Sequence, residues 1–207
     1  LTLSQFQLLL KLYLCFEPIF FVIAANDRSN SNFCIPLASS DLGLELGKLL
    51  APTLTEARLL SIHSRWPKYS GLSLYRLAPH PGLAGYGTVE YRQFPGTNDF
   101  LSIIRWVNMI LSLYNAAETL DSEIVTSQLL QLNISSEYEH LFQMILGEIL
   151  AFHPDYLPLL IKGVEFFKQC QLPPKIGPKI FTSQYPQTQQ AMLSKPRRTK
   201  PKPKKEL

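Results

Sequence analysis

The feature that most constrains this chain is the apolar run at residues 8–25, LLLKLYLCFEPIFFVIAA. It is about long enough to cross a bilayer. It also carries Lys11 and Glu17, with Pro18 next to the latter. A charge near the centre of a span costs roughly 2.5–3.5 kcal/mol on insertion scales. No basic stretch precedes the run and no small-residue cleavage site follows it, so a secretion signal is not indicated either. The sequence therefore predicts a buried amphipathic helix over residues 4–24, with Phe6, Leu9, Leu10, Tyr13, Phe16, Phe20 and Phe21 at three-to-four spacing. Ser4 followed by Gln7 reads as its start signal. A helix that apolar needs the rest of the chain around it.

Of 207 residues, 46% are hydrophobic and 17% charged, enough for one domain with a core. The net charge of +4 is not spread evenly. The last thirteen residues carry seven Lys or Arg and one Glu, a local +6, and the remaining 194 sum to −2. A dispersed basic face for nucleic acid is therefore not expected. The domain is expected over residues 1–170. Residues 171–207, rich in Pro, Gln and Lys, are expected to be a disordered basic tail. That tail fits an anionic lipid surface, nucleic acid or an acidic partner, or simply keeps the chain soluble. Cys15, Cys34 and Cys170 have neither zinc-ligand nor disulfide spacing and read as buried thiols.

Between the helices the periodicity changes. Residues 26–32, NDRSNSN, form a polar loop, and helical pieces are expected over 39–48 and 53–60. Residues 69–77 and 88–94 alternate as strands, joined by the Pro- and Gly-rich residues 79–87, and predict an antiparallel pair. Thr97 or Asn98 reads as the cap of the next helix, with Asp99 in its first turn. That helix, over 100–119, has a strong apolar stripe that includes Ile103, Val107, Ile110 and Tyr114. Further helices are expected over 122–132, 136–151 and 156–169. The fold class is α+β: a small antiparallel sheet packed by several helices, mostly helical by residue count.

In the second strand Thr88, Glu90, Arg92 and Phe94 share one face, opposite Val89, Tyr91 and Gln93. Glu90 is a candidate Mg²⁺ ligand. Arg92 is a candidate for a phosphate or carboxylate. The strand leads into a helix start, whose free N–H groups favour anions. Spacing alone is equally the mark of a Glu–Arg pair on the wet face of an edge strand.

Residues 87–99, GTVEYRQFPGTND, followed by a helix containing Arg105-Trp106-Val107, resemble the active-site strand, turn and helix of the amidoligase family. Lys68-Tyr69 with Leu72-Ser73-Leu74 resembles the family's preceding strand, with Ser73 where Asn is usual. The start of the chain resembles its L-T-x-x-Q helix ending in Phe16-Glu17, and Arg28, Asn30, Phe33, Cys34 and Pro36 resemble its R-x-N loop. The resemblance spans about residues 1–120. It implies part of a glutamine synthetase-like catalytic domain, and an ATP-dependent carboxylate–amine ligase that forms an amide through a phosphorylated carboxylate.

The same resemblance implies ATP and Mg²⁺ as cofactors. Glu90 would be the metal ligand and Arg92 would hold phosphate or acyl-phosphate oxygens; Arg28 and Lys68 are further nucleotide-binding candidates. Partners would be the carboxylate and amine substrates, with a separate N-terminal half or a homo-oligomer also in view. The expected location is cytoplasmic, with no specific nucleic acid or membrane partner. The family's G-x-E-x-E and His-x-His strands have no counterpart here. The chain is therefore expected to be the C-terminal portion of a larger ligase, the partner of a separately encoded half, or a decayed relative, and to be inactive alone. The competing expectation is a non-catalytic interaction protein that keeps the strand for its fold. Of the remaining residues, Glu17 is read either as a helix-end residue reaching water or as a buried pair partner. Trp106 is expected in the core, and His63 and His80 on surface loops.

Overall fold

The first helix runs through the middle of the molecule rather than along its surface. In a computed structural model of the chain, residues 1–24, 34–39, 43–52, 54–63, 66, 69–77 and 87–171 are described. Helix α1 spans Leu3–Ile23, and every side chain from residue 6 to residue 21 is buried, Lys11 and Glu17 included. The expected single stripe is thus a correction. Leu8, Leu12, Leu14 and Ile19 lie between the striped positions and are as buried as Phe16 and Phe20. A helix that is apolar all round is a core element.

Its start is also placed differently from the sequence expectation. Thr2, not Ser4, is the cap, with its hydroxyl accepting from the Gln5 N–H while the Gln5 side chain accepts from the Thr2 N–H at 2.7 Å. Gln7 is free for another task. Its amide donates to the carbonyls of Leu49 and Ala51 at 2.9 and 2.8 Å. Leu49 is in the last turn of α2, Gly43–Leu50, whose final carbonyls a helix cannot satisfy by itself; the Ala51 carbonyl just past it also accepts from the Leu54 N–H. Helix α3, Glu56–His63, follows, and His63 is buried rather than at the surface.

Helices α4 (Phe100–Thr119), α5 (Ser122–Gln131), α6 (Ser135–Leu146) and α7 (Tyr156–Cys170) enclose α1. The expected 136–151 helix stops at Leu146, where Gly147 takes a φ of +55°, and a short 3₁₀ turn, Gly147–Ile149, continues. Left-handed backbone of that kind suits glycine and ends a helix. The α1–α7 contact is the closest in the fold. A Cβ built on Gly163 would overlap the Cys15 carbonyl, so only glycine lets the two backbones approach this far. Phe16 packs on Phe142 of α6 at 6.2 Å between ring centroids, and Phe20 meets Trp106 of α4 edge-on at 5.8 Å. Trp106 is a core residue as expected.

The sheet is smaller than the alternation suggested. Strands β1, Leu72–Ser73, and β2, Glu90–Tyr91, pair antiparallel, Leu72 opposite Tyr91 and Ser73 opposite Glu90. The Arg92 N–H adds a bond to the Gly71 carbonyl at 2.8 Å. Ile35 forms a parallel bridge to Ser70, giving this corner a third short segment. The antiparallel pairing was expected; the seven-to-nine-residue strands were not. The molecule is mostly helical, with this small sheet at one side of α1. Arg28, Lys68, His80 and the tail beyond residue 171 lie outside the described residues.

Candidate functional site

Strand β2 presents its two faces as the alternation predicts. On the inner face, Tyr91 meets Tyr13 of α1 edge-on at 5.8 Å, and the fully buried Gln93 donates its amide to the Tyr13 hydroxyl. On the outer face, Phe94 stacks on Trp106 at 5.1 Å, which fixes where the chain turns into α4. Between them, Arg92 bonds Glu90 through one terminal nitrogen at 2.6 Å. The pair sits unevenly: 48% of the Glu90 side chain is exposed but only 20% of Arg92, whose guanidinium lies over the Tyr69 ring at 5.8 Å. Such stacking is normal for a planar cation.

Arg92 is incompletely used. Its Nε is buried and has no hydrogen-bond partner among the described residues, and the same holds for the Tyr91 hydroxyl and for Gln93 Oε1. Three consecutive residues thus carry unanswered polar atoms. Burial, with Tyr114 nearby, raises the Tyr91 pKa, so its hydroxyl keeps its proton. Asp99, not Thr97 or Asn98, caps α4. Its carboxylate accepts from the Leu101 N–H at 3.2 Å and from the Ser102 hydroxyl. The Ser102 bond, more than any other cause, holds the Asp99 pKa below the usual range. The expected anion-friendly helix start is therefore already occupied by an anion of the chain itself.

Behind the strand lies a polar chain that the sequence did not reveal. The Tyr13 hydroxyl, which receives the Gln93 amide, donates to Glu17 Oε1 at 3.0 Å. The Glu17 carboxylate in turn accepts from the N–H groups of Leu37 at 2.8 Å and Ala38 at 3.4 Å. Of the two readings of Glu17, the buried one is observed, with backbone rather than a cation as its partner. Burial pushes its pKa up to about 7, and the donated N–H and O–H bonds hold it back from going further. The signal available in the sequence was Tyr13 and Glu17 at i, i+4 on a buried helix, facing a loop that needs its N–H groups satisfied. Cys34, at the start of that loop, is buried as expected.

The fit to a magnesium ion follows from these contacts. Among the described residues no group of three His, Cys, Asp or Glu side chains converges. Glu90 is a lone carboxylate already neutralised by Arg92. One or two carboxylates with substrate phosphates is the usual protein share of a magnesium site. The described residues do not make such a site by themselves. Among the described residues, two open grooves lie away from this strand. One, of about 340 Å³, runs between α5 and α6 past Leu129, Glu137 and His140; the other, of about 280 Å³, lies between α4 and the turn at Gly147. Neither is lined by Glu90 or Arg92. Comparison with family models, with curated proteins and with solved structures gives no match to this chain.

Proposed function

We propose that the chain provides one wall of an ATP-dependent carboxylate–amine ligase site of the glutamine synthetase-like kind, with Arg92 as its anion-binding group. The observation that supports this is the buried, unpartnered Nε of Arg92. An unsatisfied buried donor costs about 1–3 kcal/mol. It marks a place where a ligand, an ion or water completes the structure. A guanidinium offers its N–H groups as a planar fork that matches phosphate and carboxylate oxygens. In this reading Arg92 holds the oxygens of a phosphorylated carboxylate while an amine displaces the phosphate, and Tyr69 keeps the guanidinium plane in position. ATP supplies the phosphoryl group. Glu90 would join a magnesium site only with carboxylates from beyond the described residues. The reading belongs to the cytoplasm, where ATP and magnesium are supplied.

A second reading has its own support. The 2.6 Å Glu90–Arg92 bond is what a chain that keeps the strand for its fold alone would show. Calorimetric titration with Mg-ATP separates the two. Under the ligase reading the chain binds nucleotide, Arg92→Ala abolishes the heat, and Glu90→Ala weakens it only when magnesium is present. If titrations of the unaltered chain and both variants are all flat, the ligase reading is lost and the structural one stands.

A further inference from the structure

The outward side of α4 carries a pattern with no partner among the described residues. Phe100, Ile104, Val107, Leu111 and Tyr114 follow one another at steps of four, three, four and three residues. Steps of that kind keep side chains on one seam facing another helix. Among the described residues the first four face away from the core, and Tyr114, half-buried, reaches its edge. The core-facing residues of α4 are Trp106, Met109, Leu113, Ala116 and Ala117, on the other side of the helix. Phe100 is 69% exposed, Val107 45% and Leu111 51%. Leu101 and Ile103 widen the exposed strip. Arg105 is the only charged residue between Phe100 and Glu118, and it stands about 140° around the helix from the seam.

We infer that this face is the interface of a homodimer, in which α4 packs antiparallel against α4 of a second copy about a two-fold axis near Val107. Three observations favour a second copy. The seam is self-complementary: reversing it about Val107 sets Ile104 against Leu111 and leaves apolar opposite apolar throughout. Its size also fits. Taking about 150–200 Å² for a whole large side chain, the six exposed residues offer roughly 500 Å² of apolar surface. A standard interface takes about 800 Å² from each partner, of which about 60% is apolar. Finally, Glu118 lies where the seam would continue. A parallel pair sets Glu118 against its own copy, a like-charge contact, while an antiparallel pair separates the two and opposes the helix dipoles.

Sedimentation velocity of the full chain over a concentration series tests the inference. A dimer is expected, and Val107→Glu should raise its dissociation constant by at least ~30-fold, the effect of a charge buried at the centre of an interface. Ile124→Glu, on an exposed site of α5, should leave it unchanged. Circular dichroism of Val107→Glu should show the parent fold, so that loss of the dimer is not loss of the protein. Orientation is read by mixing Ile104→Cys and Leu111→Cys chains: disulfides between the two variants support the antiparallel pair, and disulfides only within each variant overturn it. A chain that stays monomeric at every concentration overturns the dimer. So does one that is monomeric and instead pellets with anionic vesicles in a Val107-dependent way, which would make the face a lipid contact.

Discussion

Helices α1 and α4 are near equals in length and are both apolar enough to cross a membrane, yet the fold treats them oppositely. In the most apolar 18-residue stretch of α1, 89% of the residues are buried; in that of α4 the share is 33%. The difference lies in how apolar residues are spread around each axis. In α1 they occupy every side, so the helix must be enclosed. In α4 one side meets Phe20 and Phe94 through Trp106, and the other carries a second apolar strip that points outward. Apolar composition alone therefore says that a helix seeks cover; the angular distribution says how many covers it needs.

That comparison can be broken at α1. Gly163→Val in α7 places a side chain against the Cys15 carbonyl, which is backbone and cannot yield. A loss of about 4 kcal/mol or more, or no folded protein, is expected in urea denaturation, as for other changes that force packed elements apart. Phe16→Ala removes a fully buried ring and should cost about 3–5 kcal/mol in the same assay. If either variant loses less than 1 kcal/mol, α1 is not the core.

Glu17 sharpens the comparison by pH. Its folded pKa is raised to about 7, so the folded chain keeps the proton where the unfolded chain has released it. Stability should therefore fall as pH climbs from the ordinary carboxylate range to about 7 and change no further above it, by about 3 kcal/mol in all. Glu17→Gln should remove that slope, and parallel melting curves for the two proteins from pH 5 to pH 8 would refute the assignment. The smallest effect belongs to α4. Phe100→Ser, measured at low protein concentration where copies are apart, should change the unfolding free energy by less than ~0.5 kcal/mol.

The sequence was most legible where burial alone decides. The existence of the helices, the antiparallel pair and the two faces of β2 followed from periodicity, with α2 and α3 shifted a few residues from the expected 39–48 and 53–60; the burial of Trp106 and Cys34 followed from residue type. Legibility failed where one polar atom chooses among nearby partners. Thr2 outcompeted Ser4 as a cap, and Asp99 outcompeted Thr97 and Asn98, because a hydroxyl or carboxylate one or two residues away reaches the same N–H groups. The strands came out short because their hydrogen bonds are shared with Ile35, a partner far off in sequence. Glu90 and Arg92 were placed together as their spacing required. Their bond to each other is the pair that the spacing allowed; that it would leave Nε unanswered was not legible from spacing.

The pairing of α1 with α7 also sets a schedule. About 130 residues separate the end of α1 from the start of α7, and at roughly 5–20 residues per second a ribosome needs about 7–26 s to make them. Through that interval Cys15 has no Gly163 to lie against. The apolar α1 thus leaves the ribosome well before α7 can cover it, so a nascent chain of this kind has reason to meet a chaperone in the interval.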